Sequence, residues 1–178
     1  KIVSPAGDEI PFGDEGELAM RGPQLFAGYL HRPDLTDAAF LSDGFLRTGD
    51  LAQMDSDGYV KITGRVKDLI IRGGLNISPV EVEEILSGDS RIATIALAGM
   101  PDERLGERIC AFVVPKIGME LTLEDLADLA EKSGLAKQKW PERLEILTEL
   151  PMTPTGKVQR YALKQLITEK LTEESRAA

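Results

Sequence analysis

A change of pattern at Gly64 is the feature that most limits how this chain of 178 residues can fold. Before it, short apolar stretches alternate with Gly, Asp and Pro, which is typical of antiparallel strands joined by tight turns. Asp57-Gly58 is a strong hairpin signal between LAQM and YVKITG. After Gly64, strand-like and helix-like segments alternate, so the two parts of the chain are expected to differ in architecture.

The second part predicts a regular order of elements. DLIIRG is a short strand, and a helix over VEVEEIL follows, with Ser78 at its N-cap, Pro79 in its first turn and Gly88 at its end. Two strands come next, RIATIALAGM and RICAFVVP, and a helix over LEDLADLAEK, capped by Thr122, follows them. The chain then continues with strand RLEILTEL, helix YALKQLITEKL and a tail, TEESRAA, that is expected to be frayed. This order predicts an α+β fold, in which about three helices pack on a short mixed sheet.

Composition excludes several classes of protein. The net charge of −9 argues against a nucleic-acid-binding protein, and no apolar run reaches the roughly 18 residues that a membrane span needs. Cys110 is the only cysteine, so no cysteine cluster can bind a metal, and its strand context predicts a buried structural thiol. These features favour a soluble protein in a reducing, cytoplasmic setting. Because Lys1 is not an initiator methionine, we expect a fragment of a longer protein.

A lysine near the end of the chain is the first candidate for chemistry. Lys157 follows Gly156 in PTGKVQR, directly before a helix, so a turn can present its ammonium group to an anion. A phosphate-binding P-loop is excluded, because Pro151 stands where its first glycine is required and Val158 replaces its metal-binding hydroxyl. Any phosphate contact here must therefore come from a side chain.

Three ordered motifs carry a family resemblance: RTGDL at 47–51, GRVKDLIIRGGLNISPVEVEEIL and LPMTPTGKVQR. Together they resemble the carboxyl-terminal signature set of the adenylate-forming superfamily, which includes acyl-CoA synthetases, luciferases and the adenylation domains of peptide synthetases. The resemblance implies that residues 1–66 are the β-rich end of the large AMP-binding domain. It also implies that residues 67–178 are the small, mobile carboxyl-terminal domain.

The same resemblance implies a two-step reaction. Such enzymes activate a carboxylic acid with ATP to an acyl-adenylate and then transfer the acyl group to a thiol, commonly that of coenzyme A. The phosphate loop, the acid pocket and the Mg²⁺ site are expected in the part of the family fold that precedes these residues. We therefore expect no metal site within this chain, and no catalysis by these 178 residues alone.

Three residues match positions that the family uses for adenylation. Lys157 would bridge the carboxylate and the α-phosphate and stabilise the negative charge that develops as pyrophosphate leaves. Asp50, in RTGDL, would accept hydrogen bonds from the ribose hydroxyls of ATP. Arg65 would lie near the ribose and phosphates, where a planar fork of donors suits the ligand.

Three further residues match positions that serve the second step. Lys67 matches the hinge, where rotation about one or two backbone bonds moves the small domain between two working positions. Gly73 and Gly74 match the loop that lines the pantetheine tunnel, where the lack of side chains allows close approach of the backbone to a thiol arm. A glycine turn between two elements would explain these two residues equally well.

The motifs resemble stand-alone acyl-CoA synthetases more than other branches of the family. A luciferase-like oxygenase is disfavoured, because Ile71 stands where a lysine is expected for the oxidative step. An aryl-acid adenylating enzyme that loads a carrier protein is the alternative within the enzyme class. A non-catalytic interaction module is the alternative outside it, and it would leave an apolar contact face exposed.

Overall fold

The computed structural model describes residues 1 to 177 of the chain. Its backbone contacts divide the chain into two compact units, Lys1–Lys67 and Asp68 onward. The division falls within the short 3₁₀ helix Val66–Asp68. Each unit has its own sheet.

The first unit is a four-stranded antiparallel sheet. Its strands are β1 (Ile2–Val3), β2 (Glu15–Met20), β3 (Leu46–Met54) and β4 (Val60–Arg65), and they lie side by side in chain order. The predicted hairpin joins β3 to β4. Gly58, at φ +86°, donates its amide to the carbonyl of Asp55 at 3.1 Å, and the Asp55 amide donates to the carbonyl of Tyr59 at 3.1 Å.

A short helix in the first unit corrects the prediction of strands and turns alone. Helix α1 spans Pro33–Ala39, with proline in its first turn and no buried residue. The hydroxyl of Thr36 donates to the carbonyl of Arg32 at 3.1 Å. Seven residues are too few for a helical hydrophobic period to emerge, and without a buried face there is no such period to detect.

The second unit is a mixed five-stranded sheet with helices on both faces, which confirms the predicted α+β fold. Its strands are β5 (Ile70–Arg72), β6 (Leu75–Ile77), β7 (Ile92–Asp102), β8 (Gly106–Pro115) and β9 (Arg143–Ile146), and its α-helices are α2 (Pro79–Leu86), α3 (Leu123–Lys132) and α4 (Arg160–Ala177). The order is β6-β5-β8-β7, with β9 parallel to β8. Strand β6 was not predicted, and β9 covers only the first half of RLEILTEL.

Side chains alternate between the two faces of this sheet, as the pleat requires. Leu97 and Ile109 point to the face covered by α2 and α3, whereas Met100 and Phe112 point to the face covered by α4. Cys110 is buried on the α4 face, as predicted. Burial, and to a lesser extent the charge of Glu145, raises the pKa of its thiol to about 12, so the thiolate is not accessible near neutral pH.

Helix α4 extends through the tail that the sequence predicts to be frayed. Arg143 on β9 makes a bidentate ion pair with Glu174, at 2.5 and 2.9 Å, and this pair holds the last turns of the helix to the sheet. The prediction of fraying from Thr172 to Ala177 is therefore wrong, and Ala178 lies outside the described residues. Between residues 1 and 177, no helix is long and apolar enough to cross a membrane.

Candidate functional site

The turn that carries Lys157 is held by a set of short hydrogen bonds. The Thr153 amide donates to the carbonyl of Lys157 at 2.8 Å, and the Lys157 amide donates to the hydroxyl of Thr153 at 3.0 Å. The Gly156 amide donates to the carbonyl of Thr153 at 2.9 Å, with Gly156 at φ +78°. A bridge between Met152 and Val158 closes the turn at its base. The backbone that presents the lysine is therefore held in place by hydrogen bonds within the turn itself.

The lysine side chain itself is available for binding. Lys157 is exposed, and its ammonium group makes no ion pair with any residue from 1 to 177. Positively charged groups without an internal partner are suited to bind an anion from outside the chain. The arrangement fits the predicted contact with carboxylate and phosphate oxygens.

A partly buried ion pair follows this turn and was not among the predicted site residues. Arg160, the first residue of α4, pairs in a bidentate manner with Glu83 on α2, and the Nη2–Oε2 distance is 2.8 Å. The side chains are only 16% and 15% exposed. One signal in the sequence could have indicated the pair. A cation in the first turn of a helix opposes the helix dipole, so such an arginine calls for a specific acidic partner.

Asp50 and Arg65, both predicted to contact the nucleotide, lie side by side in the first unit. They are paired across β3 and β4, and Arg65 Nε lies 2.8 Å from Asp50 Oδ1. Asp50 is further oriented by its amide, which donates to the hydroxyl of Thr48 at 3.1 Å. Their side chains are 27% and 48% exposed, so a ligand can reach both. Neighbouring positions on β3 and β4 thus offer an acceptor and a donor fork together.

Gly73 and Gly74 form the two-residue turn between β5 and β6. Both have positive φ, +57° and +85°, the pattern of a type I′ hairpin turn, which glycine adopts without strain. The Gly73 amide donates to the carbonyl of Leu105 at 2.7 Å. A Cβ at Gly73 would lie 3.2 Å from the Leu105 side chain, whereas one at Gly74 would meet nothing within 4 Å. The exposed backbone here is open to a narrow ligand.

The strand before this turn is fixed by a second ion pair. Arg72 donates to both carboxylate oxygens of Glu142 at 3.0 and 3.1 Å, and these hydrogen bonds, followed by the charge of Glu142, raise the pKa of the guanidinium. Glu142 in turn donates its amide to the carbonyl of Ile109 at 2.8 Å. The glycine turn therefore follows a strand that this ion pair holds in place.

The remaining predicted site residue lies at the boundary between the units. Lys67 is exposed in the 3₁₀ helix Val66–Asp68 and is the last residue of the first unit. Asp50 and Arg65 belong to the first unit, and Gly73, Gly74 and Lys157 belong to the second. Over residues 1–177, no group of three or more His, Cys, Asp or Glu side chains is placed to hold a metal ion.

Comparisons with known proteins point to one family. Residues 81–157 match the family of AMP-binding enzyme C-terminal domains. The medium-chain fatty-acid–CoA ligase of Escherichia coli is 45% identical over 98% of this chain, and the 2,3-dihydroxybenzoate-AMP ligase of Bacillus subtilis is 41% identical over 92% of it. The crystal structure of ATP-bound MatB from Rhodopseudomonas palustris superposes with a TM-score of 0.88 at 36% identity, over 93% of this chain.

In each case the matched region is one portion of a longer protein. The chain spans 31% of the Escherichia coli ligase, 30% of the Bacillus subtilis ligase and 33% of the MatB chain. These matches cover both units and include every predicted motif.

Proposed function

This chain belongs to the adenylate-forming superfamily, and we propose that it is the carboxyl-terminal portion of an AMP-forming acid–CoA ligase. Relatives that cover nearly all of its residues are named as acyl-CoA and aryl-acid ligases. In the proposed reaction, a carboxylate oxygen attacks the α-phosphorus of ATP and the bond to pyrophosphate breaks. The thiol sulfur of coenzyme A then attacks the acyl carbonyl, its proton is lost and AMP leaves.

The presentation of Lys157 is the single observation that carries this proposal. An ordered turn holds an exposed lysine that has no internal partner among residues 1–177. In the first step, negative charge accumulates between the carboxylate and the α-phosphate, and a cation fixed in advance stabilises it. Preorganised charge of this kind contributes about 3 kcal/mol to a reaction barrier. Lys157 would supply that charge.

The other matched residues would act in binding and in the change between steps. Asp50 would accept hydrogen bonds from the ribose hydroxyls, and Arg65 would stay beside it, facing ribose and phosphate. Gly73 and Gly74 would let the pantetheine arm of coenzyme A approach the backbone. Lys67, at the boundary between the units, would be the hinge of the small domain. Mg²⁺ would assist adenylation from a site outside these residues.

The domain assignment and the inactivity of the isolated residues are part of the same proposal. Residues 1–66 would be the end of the large domain, and residues 67–178 the small domain. The acid pocket and phosphate loop that the family resemblance implies would lie outside these residues, since the chain spans only 31% of the Escherichia coli ligase. We therefore expect no acid-dependent ATP consumption by these 178 residues alone, and its detection would contradict the assignment.

An aryl-acid adenylating enzyme that loads a carrier protein is the second candidate. The 41% identity to a 2,3-dihydroxybenzoate-AMP ligase is close to the 45% identity to a fatty-acid–CoA ligase, and this similarity supports the second candidate. Both candidates share the adenylation step and differ in the thiol that accepts the acyl group. Acyl transfer to coenzyme A, but not to a phosphopantetheinylated carrier, would identify the ligase.

The test is acid-dependent exchange of labelled pyrophosphate into ATP by the full-length gene product that contains these residues. Fatty, alicyclic, aromatic and hydroxybenzoic acids are supplied separately, with Mg²⁺ present. Exchange with one class is expected, and it would establish adenylation and identify the acid. If folded protein shows no exchange with any acid, a non-catalytic interaction module replaces the enzyme as the better explanation.

A further inference from the structure

Arg160 contacts more than its partner Glu83. Its Nη1 donates to the backbone carbonyl of Leu97 on β7 at 2.9 Å, and its Nε lies 3.6 Å from Oδ2 of Asp68. These groups come from four separate segments of the second unit: the start of α4, helix α2, strand β7 and the residue that begins the unit. The guanidinium is thus the point where the segments meet.

The Arg160–Glu83 pair also makes hydrogen bonds to the backbone of an edge strand of the sheet. Strand β7 is the outermost strand in the order β6-β5-β8-β7, so no neighbouring strand serves its outer backbone groups. At Leu97 the amide donates to Glu83 Oε1 at 2.6 Å, and the carbonyl accepts from Arg160. One side-chain pair therefore satisfies both backbone groups of this residue. The position of Arg160 is consequently tied to the rigid frame of the sheet.

The charge of Arg160 is retained although its side chain is largely shielded from solvent. Burial favours the neutral form, but the hydrogen bonds and charge of Glu83, together with the charge of Asp68, outweigh it and raise the pKa of the guanidinium. A lysine could keep the charge but would lose the planar fork that binds two carboxylate oxygens and a carbonyl together. The site therefore requires arginine for its geometry rather than for its charge alone.

Stability does not explain the pair well. Buried ion pairs contribute little net free energy of folding compared with apolar side chains of the same size. Helix α4 is already anchored to the sheet by the fully buried Leu163 and Ile167, and at its far end by the Arg143–Glu174 pair. What Arg160 adds is a fixed location for the first turn of the helix, three residues after Lys157.

We propose that Arg160 is a positioning residue that fixes the Lys157 turn against α2, the edge of β7 and Asp68, and thereby sets where the lysine ammonium is presented. The inference rests on the proposed role of Lys157 in adenylation. It assigns Arg160 no contact with substrate. Because Asp68 directly follows the predicted hinge residue Lys67, the same contacts fix the turn relative to the start of the second unit.

The direct test is peptide-resolved hydrogen exchange on the full-length protein with Arg160→Lys. Deuterium uptake in residues 151–158 is expected to become several-fold faster, because the turn loses its anchor. Arg143→Lys is the matched control, since it weakens another bidentate pair that joins the same helix to the sheet, and it should leave uptake in 151–158 unchanged. No change with Arg160→Lys, or an equal change with both variants, would overturn the proposal.

A second readout separates positioning from general damage. With Arg160→Lys, pyrophosphate exchange should fall about tenfold, whereas thioester formation from supplied acyl-adenylate should change less than about twofold. The two steps should differ because a small displacement of a catalytic group slows only the step that uses it. Arg143→Lys should leave both steps near wild type. Equal losses in both steps would contradict the positioning role. If wild-type protein shows no exchange, the proposed function fails, and hydrogen exchange alone then decides on Arg160.

Glu83→Gln provides a second variant in case Arg160→Lys does not fold. Glutamine keeps the shape and can still accept from the Leu97 amide, but it removes the charge and one of the two acceptors for the guanidinium. Uptake in 151–158 should again rise relative to the Arg143→Lys control. Wild-type uptake in Glu83→Gln would count against the proposal.

Discussion

Lys157 differs from several other lysines of the second unit in that its ammonium makes no ion pair within residues 1–177. Lys139 pairs with Glu81 at 2.6 Å and Lys164 with Glu107 at 2.9 Å, and Lys170 pairs with Glu145. An ammonium already bound to a carboxylate must lose that partner before it can bind a phosphate. Lys157 carries no such cost.

Replacement of Lys157 should separate the two half-reactions of the full-length protein. With Lys157→Ala, acid-dependent pyrophosphate exchange should fall about a hundredfold, because charge stabilisation worth about 3 kcal/mol is lost. Thioester formation from supplied acyl-adenylate should be much less affected. Lys132→Ala, which removes an exposed lysine at the end of α3, is the control and should leave both steps unchanged. Equal losses in the two steps would refute the assigned role.

Gly156 offers a test of how strongly the backbone of the turn matters. Its φ is +78°, and a Cβ there would meet nothing within 4 Å, so Gly156→Ala adds backbone strain without a clash. The free energy of unfolding should drop by about 1 kcal/mol. Gly118, at φ +75° and equally open, is a matched control outside the lysine turn.

The two glycine variants should differ only in activity. Gly118→Ala and Gly156→Ala should lose similar stability in urea unfolding, but only Gly156→Ala should slow pyrophosphate exchange, because only that turn carries Lys157. Normal exchange by Gly156→Ala would show that the lysine does not depend on this turn geometry.

At the scale of elements, α3 shows how a local signal is reinforced by a distant residue. The hydroxyl of Thr122 accepts from the Asp125 amide at 3.1 Å, and the Thr122 amide donates back to the Asp125 carboxylate at 2.8 Å, forming a capping box. Arg91, the residue before β7, adds an ion pair to Asp125 at 3.1 Å. The Thr122 cap is readable in the sequence, whereas the contribution of Arg91 is not.

This capping box should make the stability of the protein depend on pH in the acidic range. The amide and hydroxyl of Thr122, followed by Arg91, lower the pKa of Asp125 to about 2. In the unfolded chain the pKa of an aspartate is about 3.9. The contribution of Asp125 is therefore fully present above about pH 4 and is lost as the pH falls toward 2.

Urea unfolding of wild type and Asp125→Asn between pH 6 and pH 2 checks this expectation. Wild type should be the more stable at pH 6, and the difference should shrink as the pH approaches 2. Asp128→Asn, on the same helix but outside the capping box, is the control. A difference between wild type and Asp125→Asn that stays constant over the whole range would contradict the assigned cause.

At the scale of the whole molecule, the two units differ in how much apolar core they enclose. The second unit buries side chains on both faces of its sheet, among them Leu97, Phe112 and Leu163. The first unit buries far fewer and leaves large apolar side chains exposed. Its buried apolar residues are Ile2, Val3, Ala19, Leu51 and Ala52, and its most exposed large ones are Phe12, Leu30 and Tyr59.

This asymmetry predicts different behaviour of the separated units. Residues 68–178 expressed alone should show a single cooperative urea transition, because burial on both faces of the sheet opposes the entropy of the unfolded chain. Residues 1–67 alone should show none, because too little apolar surface is buried. Circular dichroism during urea titration measures both. Cooperative unfolding of 1–67, or its absence in 68–178, would contradict the expectation.

The sequence by itself determined the features that depend on neighbouring residues. The Asp57-Gly58 turn, the Thr122 cap and the glycine before Lys157 were all readable, because each acts through backbone groups a few residues away. The order of strands and helices followed from hydrophobic period, and the motifs indicated the family. The α1 helix was not predicted because it is short and buries nothing. Strand β6 was not predicted because polar Asn76 interrupts its three residues, so they lack the apolar run that indicated β5.

Only the tertiary structure decided which distant groups meet. Arg160 and Glu83 are 77 positions apart, and Arg72 and Glu142 are 70 positions apart. A charged side chain in a sequence indicates that a partner is needed but not which one, since that depends on how β7, α2 and α4 are arranged around one sheet. The turn that presents Lys157 can therefore be predicted from neighbouring residues, whereas the ion pair that holds this turn in place depends on the fold.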